Sequence, residues 1–140
     1  MRRPKLRSQR ALILAVVALG ACATVETAVV AEPGVEFALP LGQTATLNAS
    51  GVRIAFNRVN EDSRCPVDVQ CVWAGEAKIQ LTVSRPGSPD DVKVISITPP
   101  NNETSSGDVR IRFVGLAPVP RQADAGKPRD YVAHLIVTRG

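Results

Sequence analysis

Three cysteines, one histidine and a short acidic run are the residues of this chain with the chemistry to cross-link, ligate or react. Cys65 and Cys71, with five residues between them, can close a short disulfide in an oxidising compartment. Chain-entropy arithmetic for so small a loop gives about 2.4 kcal/mol, a local staple and not a clamp on the whole fold. A Cys-x5-Cys pair is not the redox C-x-x-C, and once both are paired no Cys/His metal set can be assembled. His134 stands alone on a strand-like segment and reads as a surface residue. Glu61, Asp62 and Asp68 could offer oxygens to calcium, but their spacing fits no EF-hand loop, and a solvated acidic turn is expected. Ser63 lacks the G-x-S-x-G context of an activated nucleophile. No catalytic residue, metal or cofactor is therefore expected, and with aromatic residues at 4% there is no stacking platform for sugars or bases.

Export follows from the first 22 residues. Arg2, Arg3, Lys5, Arg7 and Arg10 form a basic start, Ala11 to Leu19 an apolar run, and small residues follow, the layout of a secretory signal peptide. The run is too short for a bilayer span, which needs roughly 17 apolar residues or more. The whole-chain formal charge of +4 comes from this leader, whose five basic residues face no acidic ones. From residue 22 onward there are 12 basic and 13 acidic residues, a balance of −1 that removes the case for nucleic acid binding.

Leu19-Gly20-Ala21-Cys22 resembles the bacterial lipobox, in which the cysteine thiol is acylated and the peptide is cut before it. The resemblance implies lipidation at Cys22, which also accounts for the odd cysteine once Cys65 and Cys71 pair. Several acyl chains anchor stably where one does not. Residue 23 is Ala, without the Asp associated with inner-membrane retention, so the outer membrane of a bacterial envelope is the expected address. A cut after Ala21-Cys22-Ala23 also satisfies the A-x-A rule and would release a soluble periplasmic protein. The expected organisation is a signal peptide over 1–21, a lipidated tether over 22–34 ending at Pro33-Gly34, and one domain over 35–140.

The run Asp62-Ser63-Arg64-Cys65-Pro66-Val67-Asp68-Val69-Gln70-Cys71-Val72-Trp73-Ala74-Gly75 holds the only tryptophan and interrupts a regular series of strand patterns. Its D-S-R-C-P-x4-C-x-W-x-G pattern is similar to one in a group of small secreted bacterial β-rich proteins, many of them lipoproteins, of uncharacterised function. The resemblance implies a fold and an address and transfers no catalytic residue. Pro66 biases Cys65 toward extended backbone and the segment toward a sharp turn. Trp73 is expected to fold back over the disulfide as a core plug, leaving Asp68, Val69 and Gln70 as the exposed candidates for contact with a partner.

Around that run the hydrophobic period is two. Alternation marks strands over 35–39, 43–48, 52–59, 76–83, 92–97, 109–113 and 131–137, with a β-bulge expected near Val94 where the parity changes. Phe37, Phe56, Leu81 and Phe113 should fill the interior. Arg53, Lys78, Arg110 and Arg112 should point outward, read first as solvated charge that discourages edge or face association and, as the alternative, as a basic face on one sheet. Residues 99–108 read as a polar loop and 116–130, rich in proline, as a long crossing loop. Seven short strands and no helical period after residue 22 give an all-β antiparallel sandwich or partly open barrel.

Two functional classes fit. A non-catalytic module tethered to the membrane could present the Cys65–Cys71 loop to an envelope protein, because a pre-ordered loop loses less entropy on binding. Protease inhibition is one form of this. Alternatively the protein is a purely structural envelope lipoprotein whose loop caps one end of the sandwich. A small-ligand carrier would need an internal cavity, which the large inward residues oppose.

Overall fold

The computed structural model describes residues 28–140, and the leader with Cys22 lies outside them. The described chain is all β, with nine strands in two sheets. In chain order these are β1 (Val29–Ala31), β2 (Glu36–Pro40), β3 (Thr44–Leu47), β4 (Arg53–Asp62), β5 (Ala77–Ser84), β6 (Asp91–Ser96), β7 (Glu103–Ser106), β8 (Val109–Ala117) and β9 (Val132–Arg139). One sheet has the order β1-β3-β4-β5-β6 and the other β2-β9-β8-β7, every pair antiparallel except β1 with β3.

The core follows from the alternation. Ala77, Ile79, Leu81 and Val83 of β5 are buried while Lys78, Gln80, Thr82 and Ser84 face away. Val109, Ile111 and Phe113 of β8 meet Ala133, Leu135 and Val137 of β9 on the opposite inner face. Phe56, Leu81 and Phe113 are fully buried and Phe37 packs against them, so the interior is filled. Each such side chain contributes about 1.5–3 kcal/mol of burial free energy.

Irregularities fall where strict alternation would bury the wrong residue. In β4 the inward parity of Ile54 and Phe56 would next bring in Arg58 and Asn60. A register shift between Phe56 and Arg58 sets Val59 opposite Ile79 instead, and a second between Val59 and Glu61 sets Asp62 opposite the buried Ala77. In β8 a shift between Phe113 and Gly115 likewise turns Leu116 inward, opposite Ala133. The bulge expected near Val94 is absent, since β5 and β6 pair without a shift from Lys78–Ser96 to Val83–Asp91. Val92 and Val94 simply face outward on this edge strand, and Ile95 faces the core.

Two strands escaped the alternation. Val29–Ala31, assigned to the tether by its sequence, is a strand whose Ala31 is wholly buried, so the ordered sandwich begins before residue 35. Glu103–Ser106 pairs with β8 inside the expected 99–108 loop. The basic residues do not share a sheet: Arg53 and Lys78 lie on the five-stranded sheet, Arg110 and Arg112 on the four-stranded one.

The ends of the sandwich differ. At one end β4 runs into the disulfide loop, β5 leaves it, and the crossing loop from β8 to β9 comes alongside. At the other the chain turns tightly between β4's start and β3, and between β5 and β6. The proline-rich crossing includes a short 3-10 turn, Gln122–Asp124. No helix among the described residues is long and apolar enough to cross a membrane.

Candidate functional site

The disulfide loop starts from Asp62, the last residue of β4, whose inward position takes a carboxylate into the end of the sandwich. Its side chain is only 6% exposed. A buried carboxylate must be paired and hydrogen-bonded, and Asp62 is. Arg64 donates through Nε to Oδ1 at 2.7 Å and through Nη2 to Oδ2 at 2.9 Å. Arg129 donates to Oδ2 at 2.8 Å, and the Tyr131 hydroxyl donates to the same oxygen at 3.0 Å. Burial pushes the Asp62 carboxyl upward, but the hydrogen bond and charge of Arg64, with help from Tyr131, outweigh it and hold the group below its ordinary range. For Tyr131 burial acts first and the Asp62 carboxylate adds to it, raising the phenol above its ordinary value.

Arg64 extends this pairing into a latch. Its Nη1 donates to the Leu116 carbonyl and its Nη2 to the Pro118 carbonyl at 3.1 Å, so one guanidinium joins the loop to the end of β8. The Val67 amide adds a bond to the Pro120 carbonyl at 3.0 Å, and the Gln122 amide donates to Asp68 Oδ1 at 2.9 Å. The base of the loop is closed by Ser63 N–H to the Glu76 carbonyl at 2.7 Å and Cys65 N–H to the Ala74 carbonyl at 2.8 Å. Gly75 sits here at φ +72°, and a Cβ on it would lie 1.8 Å from the Ser63 carbonyl oxygen, so only glycine fits. The Cys65–Cys71 disulfide closes the loop with Cα atoms 6.0 Å apart, and Val69 N–H turns back to the Pro66 carbonyl at 3.3 Å.

Against this rigid base the tip is bare. Val72 is fully exposed and Trp73 is 80% exposed, and the indole N–H has no hydrogen-bond partner among the described residues. The expectation that Trp73 plugs the core is therefore overturned. The bonds from Ser63 to Glu76 and from Cys65 to Ala74, with the contact of Gly75 with Ser63, fix the backbone so that residues 72 and 73 lie outside the closed loop. Val67 and Val69 of the same loop are exposed too, as is Val119 in the crossing segment next to it.

Asp68, Val69 and Gln70 are exposed at the loop, as their sequence positions implied. Asp68 nevertheless has a structural task, fixing the start of the 3-10 turn. The acidic trio does not converge: Asp62 goes to two arginines, Glu61 to Lys78 at 3.0 Å, and Asp68 to the Gln122 amide. No group of acidic, histidine or cysteine side chains among the described residues is arranged to hold a metal ion. His134 lies on β9 beside Glu36, three residues after Tyr131, with Nδ1 3.0 Å from the carboxylate.

The partners of Asp62 from the crossing loop were not legible in the sequence. Arg64, two residues from a carboxylate at an inward strand position, was a usable signal. Arg129 and Tyr131 carried none, because the proline-rich segment that brings them back has no period to read. No protein family, curated protein or solved structure matches the chain. The geometry of the loop therefore has to carry the functional reading.

Proposed function

We propose that this chain is a lipid-anchored, non-catalytic module of the bacterial envelope whose working surface is the Cys65–Cys71 loop and the Val72-Trp73 pair beside it. One observation carries the reading: a fully exposed valine and an exposed indole without a hydrogen-bond partner among the described residues sit on a loop that a disulfide, a glycine-only contact and a buried Arg–Asp latch hold in place. A flexible loop could expose such residues without consequence. A rigid one has already lost the entropy that binding would otherwise remove. The anchor at Cys22 and the envelope address rest on the sequence pattern of the leader.

The structural alternative, in which the loop only caps the sandwich, loses support from the same residues. A cap would turn Trp73 onto the core. The carrier alternative is opposed by the filled interior.

A photo-crosslinking residue placed at position 72, and separately at Val92, tests the proposal in the native envelope. Val92 is an exposed apolar residue on edge strand β6 and serves as the control. The expected result is a discrete adduct with an envelope component, protein or lipid, from position 72 and none from position 92. Equal labelling from both, or from neither, would leave the loop with a purely structural role.

A further inference from the structure

The path of β1 says which way the loop end of the sandwich faces. β1 runs parallel to β3, with Val29 beside Ala45, and β3 runs antiparallel to β4, with Ala45 beside Ile54. Moving back along the chain from Val29 therefore moves along β4 toward Asp62, the end that carries the disulfide loop. The remaining height from Ala55 to Asp62 equals that from Thr82 to Ala77 on β5, about 17 Å at the rise of a strand. Cys22 lies six residues before Ala28. A chain of that length reaches at most about 20 Å. At Ala28 the described chain is thus directed toward the loop end, and the base of that loop lies within the reach of an anchor at Cys22.

What stands at that end suits a membrane interface. Val67, Val72 and Trp73 are exposed at turn and bend positions, and tryptophan is at home at headgroup depth, with an apolar body and a polar N–H. From Val67 to Gly75 the only charged side chain is Asp68, whose carboxylate already takes the Gln122 N–H. Asp68 and Gln70 limit the depth to the headgroup layer.

From this we propose that the occupant of the loop is the lipid interface itself: Val72 and Trp73, with Val67, insert shallowly into the membrane that holds the acyl anchor and fix the orientation of the sandwich on it. The inference rests on the reading of Cys22 as the lipidation site and of the loop as the binding surface. The arrangement gives the protein two membrane contacts from one end, a covalent one and a side-chain one.

Because Trp73 is the only tryptophan in the chain, its fluorescence reports the loop and nothing else. The full mature chain would be purified from the envelope, its acylation measured by mass, and the protein reconstituted in phosphatidylethanolamine/phosphatidylglycerol vesicles with and without brominated acyl chains. The expected result is acylated Cys22, a blue-shifted Trp73 emission and at least a twofold loss of its intensity in the brominated vesicles. A Val72→Ser variant should weaken the quenching. Acylated protein whose emission stays that of water-exposed indole, unquenched, overturns the membrane inference and leaves the binding-module reading standing. The same holds if the emission shifts only in native envelopes and not in vesicles, which identifies a protein occupant. Absence of acyl mass on Cys22 overturns the anchoring reading and this inference together.

Discussion

The base and the tip of the disulfide loop invert the usual distribution of polarity. At the base an aspartate and two arginines, among the residues least often buried, are almost wholly covered and satisfy one another. At the tip, a few residues away, two valines and a tryptophan face solvent. The contrast separates two tasks within one short segment. The base spends desolvation free energy on fixing a direction, which buried ion pairs do at little net gain in stability. The tip contributes little to the fold and is free to contact something else.

If the division is right, changes at the base should be costly. The largest effect is expected from Gly75→Ala. A methyl group there collides with the Ser63 carbonyl in a left-handed backbone conformation, and relief requires the loop to open. A loss of about 3–4 kcal/mol is expected in denaturant unfolding. Asp62→Ala should follow at about 3 kcal/mol, because it leaves the largely buried Arg64 and Arg129 without their counter-ion. Asp62 also predicts a pH dependence. Its carboxyl is held below the ordinary range in the fold, so between the folded and unfolded values the unfolded chain binds the extra proton. The stabilisation is complete above about pH 4 to 5 and is lost as the pH falls further. Unfolding midpoints measured from pH 7 to pH 3 should therefore fall less steeply in Asp62→Asn than in the wild type.

Next comes the covalent staple. Replacing Cys65 and Cys71 by Ser should cost about 2 kcal/mol, since the closed loop is short. The Arg64 latch to Leu116 and Pro118 remains, so the sandwich should stay folded and the loss should be measurable as a reversible shift in the unfolding midpoint.

Those residues also show what a sequence can and cannot disclose. The alternations of β5, β8 and β9 were legible because each strand has one buried face, and burial writes itself into every second residue. β1 was hidden because it has three residues and pairs in parallel with residues 16 positions further along the chain. β7 was hidden because it is a polar edge strand in which Ser106 alone is buried. Val92 and Val94 misled in the opposite sense: an apolar side chain on an edge strand need not face the core. At the loop the disulfide was readable from cysteine count and spacing. The exposure of Trp73 was not, because general burial tendencies speak for an indole in the core while the outcome here was set by three local constraints, two backbone bonds and a glycine contact.

The tip offers the smallest effect and the sharpest discrimination. Val72→Ser with Trp73→Ser removes most of the apolar surface of the loop end, yet neither side chain is buried and the indole donates no bond within the described fold. Substitutions at such positions usually change stability by no more than about 0.5 kcal/mol. The double variant should therefore unfold at the wild-type denaturant midpoint, with the same slope, while the Gly75 and Asp62 variants shift strongly. A drop of more than about 1 kcal/mol would mean that Trp73 stabilises the fold after all, and the loop would return to being a cap. An unchanged midpoint means that a large apolar side chain is held in water, on a rigid mount, with no benefit to the folded chain, and such a side chain is accounted for by what it meets outside the chain.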